Sequence, residues 1–215
     1  MSFYRKMLIR VREKTNPWFS PLRRMKLNCP TPTIISNNCW AGHVCRFYGW
    51  LPYNTPTVGL YFFADGYIRF LRHMDHYLKQ PLRIIPWQES KYADILEKRG
   101  DSRAPVGMIG DVEIVFLHYH SAEEAIQKWE RRKQRIDKNH LVVKFSVMNC
   151  CTYEHLKAFD SLPYKHKLMF TKHRHPELKS AIYYRGYENS EQIDNDTTYF
   201  RRGINLSRFF RRTRE

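Results

Sequence analysis

The stretch S-A-E-E-A-I-Q-K-W-E-R-R-K-Q-R-I-D-K-N-H-L-V-V-K-F-S-V, residues 121–147, carries a helix signal followed closely by a strand signal. Ser121 and Glu124 have the spacing of a capping box, so a helix is predicted to begin there and to run to about Asp137. Residues 141–147 form an apolar run rich in β-branched side chains, which predicts a buried strand. A helix leading into such a strand is the repeating unit of α/β proteins.

The same alternation of strand and helix signals extends over residues 33–184. Short apolar runs predict strands at 33–36, 57–63, 82–85, 112–117, 168–170 and 181–184, and residues 106–109 lead into a Gly110-Asp111 turn. Helices are expected from about 40 to 50, from Asp65, taken as the cap, to about 79, and from 152 to 160. This pattern predicts an α/β fold, a layered α/β/α arrangement with a mainly parallel or mixed sheet.

Most of the positive charge lies at the two ends of the chain. The 215 residues include 37 Lys and Arg against 21 Asp and Glu, a formal net charge of +16. Residues 1–26 contain eight basic residues and one acidic residue, and residues 201–215 contain six basic residues and one acidic residue. Residues 27–200 are nearly balanced, with 23 basic and 19 acidic residues. The expected organisation is a basic segment over 1–29, a single α/β domain over 30–185, and a polar, then Arg- and Phe-rich tail over 186–215.

Both ends combine basic with apolar residues, as interfacial membrane segments do. Phe3, Met7, Leu8 and Val11 recur on one helical face, and Ile204, Leu206, Phe209 and Phe210 alternate with arginines. The expected partner is an anionic membrane surface, the alternative being docked or solvated terminal helices. Nucleic acid is not the expected partner, because nucleic-acid-binding domains carry their excess charge on the folded surface.

The expected cellular compartment is inferred from the apolar segments of the sequence and from its cysteines. No apolar run reaches the roughly 18 residues of a spanning helix, and the first 30 residues show no apolar signal-peptide core. Five cysteines at irregular spacing do not form a disulfide framework. The expectation is a cytoplasmic protein, peripheral at most on the inner face of the cell membrane.

Polar side chains follow the predicted strands. In open α/β sheets, ligands bind beyond the carboxyl ends of the strands, so the site is expected there. Asn37 and Asn38 either present amides to hydroxyl or phosphate groups or form a turn. Cys39, at a helix N-terminus, is either an activated nucleophile or a small buried filler. The strand ends contain Asn37, Asn38, Cys39, Asp65, His118, Tyr119, His120, Asn149, Cys150, Cys151, Thr171, Lys172 and His173. Of these, Asn37, Asn38, Cys39, Asp65, Tyr119 and Lys172, together with Ser36 and Trp40, are the candidate substrate contacts.

His118 is the candidate general base, with Asp111 or Glu113 as the carboxylate that orients it. His118 and His120 lack a third ligand, so no metal site is predicted. The Asp194-Asn195-Asp196 stretch is similar to the DxD motif of glycosyltransferases, but a solvated loop is the expected structure. Neither GxGxxG nor GxxxxGK[ST] nor GxSxG occurs, which argues against Rossmann, P-loop and common hydrolase sites.

Five segments resemble a bacterial family of unassigned domain function: IISNNCWAG (34–42), LPYNTPTVGLYF (51–62), PVGMIGDVEIVFLHY (105–119), SAEEAIQKWERRKQRI (121–136) and SLPYKHKLMFTK (161–172). Its members are commonly labelled exopolysaccharide biosynthesis proteins, and some acetyltransferases. The resemblance covers roughly residues 30–175 and leaves the basic tails outside. It implies an α/β fold and a setting in capsule or exopolysaccharide assembly, without a mechanism. The matching residues are Ser36, Asn37, Asn38, Cys39, Trp40, Asn54, Pro56, Thr57, Asp111, Glu113, His118, Tyr119, Trp129, Arg131 and Arg132.

These observations lead to the hypothesis of a transferase that moves an acyl or glycosyl group to a sugar hydroxyl. His118 is expected to act as the base, Asn37, Asn38 and Asn54 to hold polar groups, and Trp40 and Tyr53 to stack on a sugar ring. The expected donor is acetyl-CoA or a nucleotide sugar, and the acceptor is a saccharide or lipid-linked saccharide. The alternative is a non-catalytic accessory protein tethered to the membrane by its tails; nucleic-acid binding ranks third.

Overall fold

The computed structural model describes residues 3–213, and within the first helix the side chains of Met7, Val11 and the residues from Lys14 onward. Its helices are α1 (Phe3–Leu27), α2 (Trp40–Tyr48), α3 (Ala64–Arg72), α4 (Met74–Lys79), α5 (Ala93–Arg99), α6 (Ala122–Lys133), α7 (Tyr153–Asp160) and α8 (Leu206–Arg212). Its strands are β1 (Thr33–Ser36), β2 (Tyr61–Phe62), β3 (Leu82–Ile85), β4 (Val106–Ile109), β5 (Val112–Val115), β6 (Leu141–Ser146), β7 (His166–Thr171) and β8 (Ala181–Tyr183). Among the described residues, no helix is long and apolar enough to cross a membrane.

A parallel sheet with the strand order β1-β6-β7-β8 forms the centre of the fold. The crossover from β6 to β7 is made by α7, since two parallel neighbouring strands cannot be joined by a tight hairpin. Val142, Val143 and Phe145 in β6 and Leu168 and Met169 in β7 are buried on both sides of the sheet. Such continuous burial explains why these strands read as unbroken apolar runs in the sequence.

A second sheet, antiparallel with the order β2-β5-β4-β3, lies beside the first. Its β4–β5 hairpin turns at Gly110 and Asp111, with Ile109 paired to Val112, as the sequence predicts. Gly110 has a φ of +59°, which the first position of a two-residue type II′ turn requires. The layered α/β class is confirmed, but the sequence did not indicate that its strands divide between two sheets.

The predicted strand over residues 57–63 is reduced to Tyr61 and Phe62. Gly59 adopts a φ of +82°, which breaks the extended conformation. Upstream, the Thr57 hydroxyl accepts a hydrogen bond from the Ser36 backbone N–H at 3.1 Å and holds this segment against β1 as a loop.

The predicted helix from Asp65 to about 79 is two helices, α3 and α4, which meet at His73. The α3 N-cap is Phe63, so the prediction that Asp65 caps it is wrong; Asp65 lies in the first turn and pairs with Arg69. Helix α5 was not predicted, because Leu96 is its one buried residue and its pattern is therefore mostly polar.

The predicted start of α6 is confirmed. Ser121 Oγ accepts a hydrogen bond from the Glu124 backbone N–H at 3.1 Å. The Glu124 carboxylate accepts from the His120 backbone N–H at 2.8 Å rather than from that of Ser121, so the reciprocal bond is displaced by one residue. The helix ends at Lys133, four residues before the predicted end.

The C-terminal tail is a docked helix, which was the alternative to a membrane segment. Leu206 and Phe210 on α8 are buried. The Phe210 ring lies 5.0 Å from the Trp50 ring and 5.9 Å from the Tyr48 ring, both edge-on. Helix α1 packs on α2, but the side chains of Phe3 and Leu8 lie outside the described residues.

Candidate functional site

A buried ion pair lies near the carboxyl ends of β1 and β6. The ammonium of Lys144, in the middle of β6, pairs with the carboxylate of Asp196, and both side chains are fully inaccessible. Lys144 Nζ also donates to Asn38 Oδ1 at 3.0 Å, Asn38 Nδ2 donates to Asp196 at 2.8 Å, and the Ser146 hydroxyl donates to Asp196 at 2.5 Å. We call these four residues, Asn38, Lys144, Ser146 and Asp196, the buried ionic centre.

The surroundings of Lys144 are apolar. Its ammonium lies 5.8 Å from the centre of the Trp40 ring and 5.3 Å from that of Phe170. Burial lowers the pKa of Lys144 from its ordinary value, and the neighbouring Asp196 carboxylate opposes that shift. Asp196 therefore does not belong to a solvated loop, and the prediction for that residue is wrong.

Several predicted substrate contacts are instead parts of this buried layer. Asn37 Nδ2 donates to the Ser146 carbonyl at 3.0 Å, and Asn37 Oδ1 accepts from the Ser146 N–H at 3.0 Å, so its amide links β1 to β6. The Ser36 hydroxyl donates to the Asn38 carbonyl at 2.6 Å, and the Trp40 indole N–H donates to the Phe200 carbonyl at 3.1 Å. Because Ser36, Asn37, Asn38 and Trp40 are at most 3% exposed, we assign them to the fold rather than to a ligand.

An open pocket of about 420 Å³ lies on the other side of Cys39. We call it the cationic pocket. It lies between α2, the loop that carries Val58 and Gly59, the residues after β5, and α6. It is lined by Cys39, Gly42, His43, Arg46, Tyr53, Val58, Gly59, His118, Tyr119, Lys128 and Arg132. The lining thus combines Arg, Lys and His side chains with two tyrosines and contains no carboxylate.

Arg132 forms the inner wall of the cationic pocket. Its guanidinium donates to Tyr119 Oη at 2.6 Å and to the Val58 carbonyl at 3.1 Å, and it lies 5.1 Å from the centre of the Tyr53 ring. Tyr119 Oη donates in turn to the Val58 carbonyl at 2.6 Å. A Cβ on Gly59 would meet the Tyr119 ring at 3.0 Å, so a larger residue there would push the loop away from this wall.

Two of the cations in the pocket carry uncompensated charge. Lys128 pairs with Glu124, but the ion pairs among the described residues involve neither Arg46 nor Arg132. Arg46 is exposed, whereas Arg132 is buried. A partly enclosed pocket with unpaired guanidinium groups favours an anionic ligand, since arginine forks match phosphate and carboxylate oxygens.

Two residues of the predicted site, His118 and Tyr119, line the cationic pocket. Desolvation by its surroundings, and secondarily the Arg46 charge, lowers the pKa of His118 from its ordinary value, so the ring is neutral at pH 7 and able to accept a proton.

The predicted orienting carboxylates have other partners. Asp111 binds Arg69 and accepts from Tyr77 Oη at 2.7 Å. Glu113 accepts from the Ser90 hydroxyl at 2.5 Å and from the Lys91 N–H at 3.0 Å. The roles predicted for Asp111 and Glu113 are therefore not supported.

Cys39 lines the pocket but is not an activated nucleophile. Burial, and secondarily Asp196, raises the pKa of its thiol to about 11. The Sγ atom lies 3.6 Å from the Leu60 carbonyl, to which the thiol donates. Of the two predictions for Cys39, the buried filler is the one its environment supports.

Three further predicted residues lie away from the pocket lining. Asn54 Nδ2 donates to the Thr31 carbonyl at 3.5 Å. Asp65 lies on α3 with Arg69 and Lys91. Lys172 donates to the carbonyls of Ser190 and Glu191 at 2.6 and 3.0 Å, which fixes the segment that follows β8.

Apart from Arg132, which is among the residues of the family resemblance, the cations of the pocket were not predicted. His43 and Arg46 are three residues apart on α2, and Lys128 and Arg132 are four apart on α6, so each pair occupies one face of its helix. That spacing was visible in the sequence. The sequence did not show that α2 and α6 face each other across one pocket.

A larger cavity, of about 730 Å³, lies at the opposite, amino ends of β6 and β7 and includes His73, His76, His140 and His166 in its lining. Over residues 3–213 as described, no three His, Cys, Asp or Glu residues are placed to hold a metal ion.

Comparison with known proteins assigns the family. A family model described as a domain of unknown function, DUF1919, matches residues 11–213. The chain belongs to this family. The match extends well beyond residues 30–175, so most of both tails is part of the family domain. A protein of Haemophilus influenzae, described as uncharacterized, is 31% identical over 193 residues, which cover 90% of this chain and 87% of that protein.

Proposed function

We propose that this DUF1919 protein is a glycosyltransferase of cell-surface polysaccharide assembly that binds a nucleotide diphosphate sugar in the cationic pocket. The observation that carries the proposal is the charge of that pocket. Arg46 and Arg132 form no ion pair with any residue that the structure describes, Lys128 lies beside them, and no acid belongs to the lining. The polysaccharide setting is supported by the sequence resemblance alone.

The dimensions of the pocket favour a nucleotide sugar over acetyl-CoA. Both donors carry phosphates, but a volume of about 420 Å³ is near the lower end of ligand pockets, which span roughly 300–1,000 Å³. A compact diphosphate sugar suits this volume better than the long arm of coenzyme A. Tyr53 and Tyr119 supply aromatic faces beside Arg132 on which a base or sugar ring can stack.

The proposed transfer uses His118 as the base. The acceptor hydroxyl oxygen forms a bond to the anomeric carbon of the donor, and His118 takes the proton of that hydroxyl. The bond from the same carbon to the diphosphate oxygen breaks, and its electron pair leaves on the diphosphate. Arg46, Lys128 and Arg132 stabilise the developing negative charge, as pre-organised cations do in phosphate chemistry.

Thermal shift measurements with uridine diphosphate glucose, guanosine diphosphate mannose and acetyl-CoA test the donor class. A ligand at a hundred times its Kd stabilises the folded state by about 2.7 kcal/mol, so a nucleotide sugar is expected to raise the Tm. Arg46→Gln, with its affinity lowered about tenfold, should retain only about 1.4 kcal/mol of this stabilisation, and the exposed Arg174→Gln should keep all of it. A shift with acetyl-CoA alone would replace glycosyl by acyl transfer.

One observation favours the non-catalytic accessory protein as the second candidate: no described side chain makes a hydrogen bond to the His118 ring. Glycan analysis of cells carrying His118→Ala separates the two functions. Loss of a general base costs typically 10²–10⁴-fold in rate, so the polymer should change if the protein is a transferase. An unchanged polymer with a folded variant favours the accessory protein.

A further inference from the structure

The outer face of α1 carries an apolar stripe that no described residue covers. Its members are 44 to 78% exposed, with Trp18 the most accessible. Their spacings of four, seven, four and three residues place them on one side of the helix. We call this set the α1 stripe: Met7, Val11, Trp18, Leu22 and Met25.

The orientation of the stripe is set by the opposite face of α1. Asn16, Ser20 and Leu27 are buried on that side. Arg23 donates to the Phe47 carbonyl of α2 at 3.1 Å and stacks 4.1 Å from the Phe47 ring. Since packing on α2 fixes this face inward, the stripe faces outward.

Basic residues surround the stripe. Lys14 and Lys26 are exposed and lie on either side of it. Arg211 on α8 donates to the Lys26 carbonyl at 3.1 Å, which brings the exposed Arg208, Arg211 and Arg212 beside the end of α1. The docked C-terminal helix thus adds its charges to those of residues 1–26, which hold eight basic residues and one acid.

We propose that the α1 stripe binds an anionic lipid bilayer, with α1 lying in the plane of the interface and Trp18 entering it. Charge complementarity selects this occupant. A second copy of the chain would bring two strongly basic helices together, whereas anionic headgroups neutralise them. Tryptophan is enriched at the membrane–water interface, and interfacial helices combine such an apolar face with a basic one. The inference does not depend on the transferase proposal.

Tryptophan fluorescence offers a direct measurement. Trp40, Trp50 and Trp129 are buried and Trp87 is partly buried, so Trp18 is the one exposed tryptophan. Vesicles containing phosphatidylglycerol should shift the emission to shorter wavelength, and vesicles of phosphatidylcholine alone should not. Trp18→Ser should lose the shift.

Co-sedimentation with the same vesicles tests the whole surface. Trp18→Ser/Leu22→Ser/Met25→Ser should reduce binding at least tenfold with an unchanged Tm, and Lys14→Gln and Lys26→Gln should each reduce it about fivefold. Leu51→Ser, which removes an exposed apolar residue elsewhere, should bind like the wild type. The proposal is overturned if phosphatidylglycerol vesicles do not bind the protein, if the triple variant binds them as well as the wild type does, or if that variant instead converts a dimer into a monomer.

Discussion

The buried ionic centre and the cationic pocket lie on the two sides of Cys39, and they use charge in opposite ways. In the buried ionic centre, Lys144 is completely enclosed, and the oxygens that accept hydrogen bonds from its ammonium belong to the side chains of Asp196 and Asn38. In the second, Arg46 and Arg132 face an open pocket without a carboxylate. The difference separates charge used for the fold from charge available to a ligand, although both sets of residues are adjacent in space.

The largest expected effect is on the buried side of this comparison. Asp196→Ala would leave the Lys144 ammonium buried without its partner, which costs about 3–5 kcal/mol in comparable ion pairs. Urea unfolding should show this as a large decrease in the free energy of unfolding. That loss is comparable to the whole stability of many domains, roughly 5–15 kcal/mol.

A double substitution provides the control. Lys144→Met with Asp196→Leu removes both charges and should recover much of the stability lost in Asp196→Ala, because apolar replacements of buried ion pairs are often tolerated. A change below about 1 kcal/mol in Asp196→Ala would show that the pair contributes little and would end the contrast between the two regions.

Arg132→Met tests a residue that both stabilises the fold and lines the cationic pocket. Arg132 is buried and donates two hydrogen bonds, yet its guanidinium also lines the pocket. Loss of these bonds should cost about 1–3 kcal/mol of unfolding free energy, and nucleotide-sugar binding should fall as well. A stable variant with unimpaired binding would remove Arg132 from the site.

Arg46→Gln should separate binding from stability. The side chain is exposed and has no ion pair among the described residues, so the free energy of unfolding should change by less than about 0.5 kcal/mol. Donor affinity should fall roughly tenfold, the loss of one charge-assisted hydrogen bond. Isothermal titration calorimetry measures it, with Arg174→Gln as the matched control. Equal affinities of the two variants would place the ligand elsewhere.

A smaller expected effect is the lowering of the pKa of His118 from its ordinary value. Desolvation and Arg46 lower it below the ordinary value of 6.5, so the neutral base should predominate at pH 7 and be lost only as the pH falls below about 6.5. An NMR titration of the ring should show a midpoint lower than that of an ordinary histidine, and Arg46→Gln should move it upward. A midpoint above 6.5 in the wild type would contradict the assigned environment.

Thiol reactivity gives the smallest effect. The pKa of Cys39 is about 11, whereas Cys150 is exposed. With Ellman's reagent at pH 8, Cys150 should react rapidly in the folded protein, and Cys39 should react much more slowly because little of its thiol is ionised. Because Cys150 is the exposed cysteine and Cys29 and Cys151 are only partly exposed, Cys150→Ser should remove most of the fast phase. A fast phase that persists in Cys150→Ser but is lost in Cys39→Ala would show that Cys39 is a reactive nucleophile.

The elements that the sequence predicted well are those determined by neighbouring residues. Strand β1 has the predicted bounds, β6 ends one residue earlier than predicted, and α6 begins beside its predicted cap. Their signals are periodicity and a side chain three residues away, both of which act locally.

The residues that escaped prediction depend on distant partners. Lys144 sits inside an apolar strand, and its partner Asp196 comes 52 residues later, in a segment that contains no strand pattern. The pocket similarly requires α2 and α6 to face each other, a relation between helices far apart in the chain. Asn37 and Asn38 were recognised as important polar residues, but only their burial distinguishes a structural amide from a ligand contact.

The position of Asp196 along the chain has a consequence for biosynthesis. A ribosome delivers β1 through β8 before it delivers Asp196, since β8 ends at Tyr183. The nascent parallel sheet therefore holds an unneutralised ammonium at its centre until the later segment closes over it. Chains truncated before residue 196 should therefore remain loosely folded and be digested by proteases faster than the full chain.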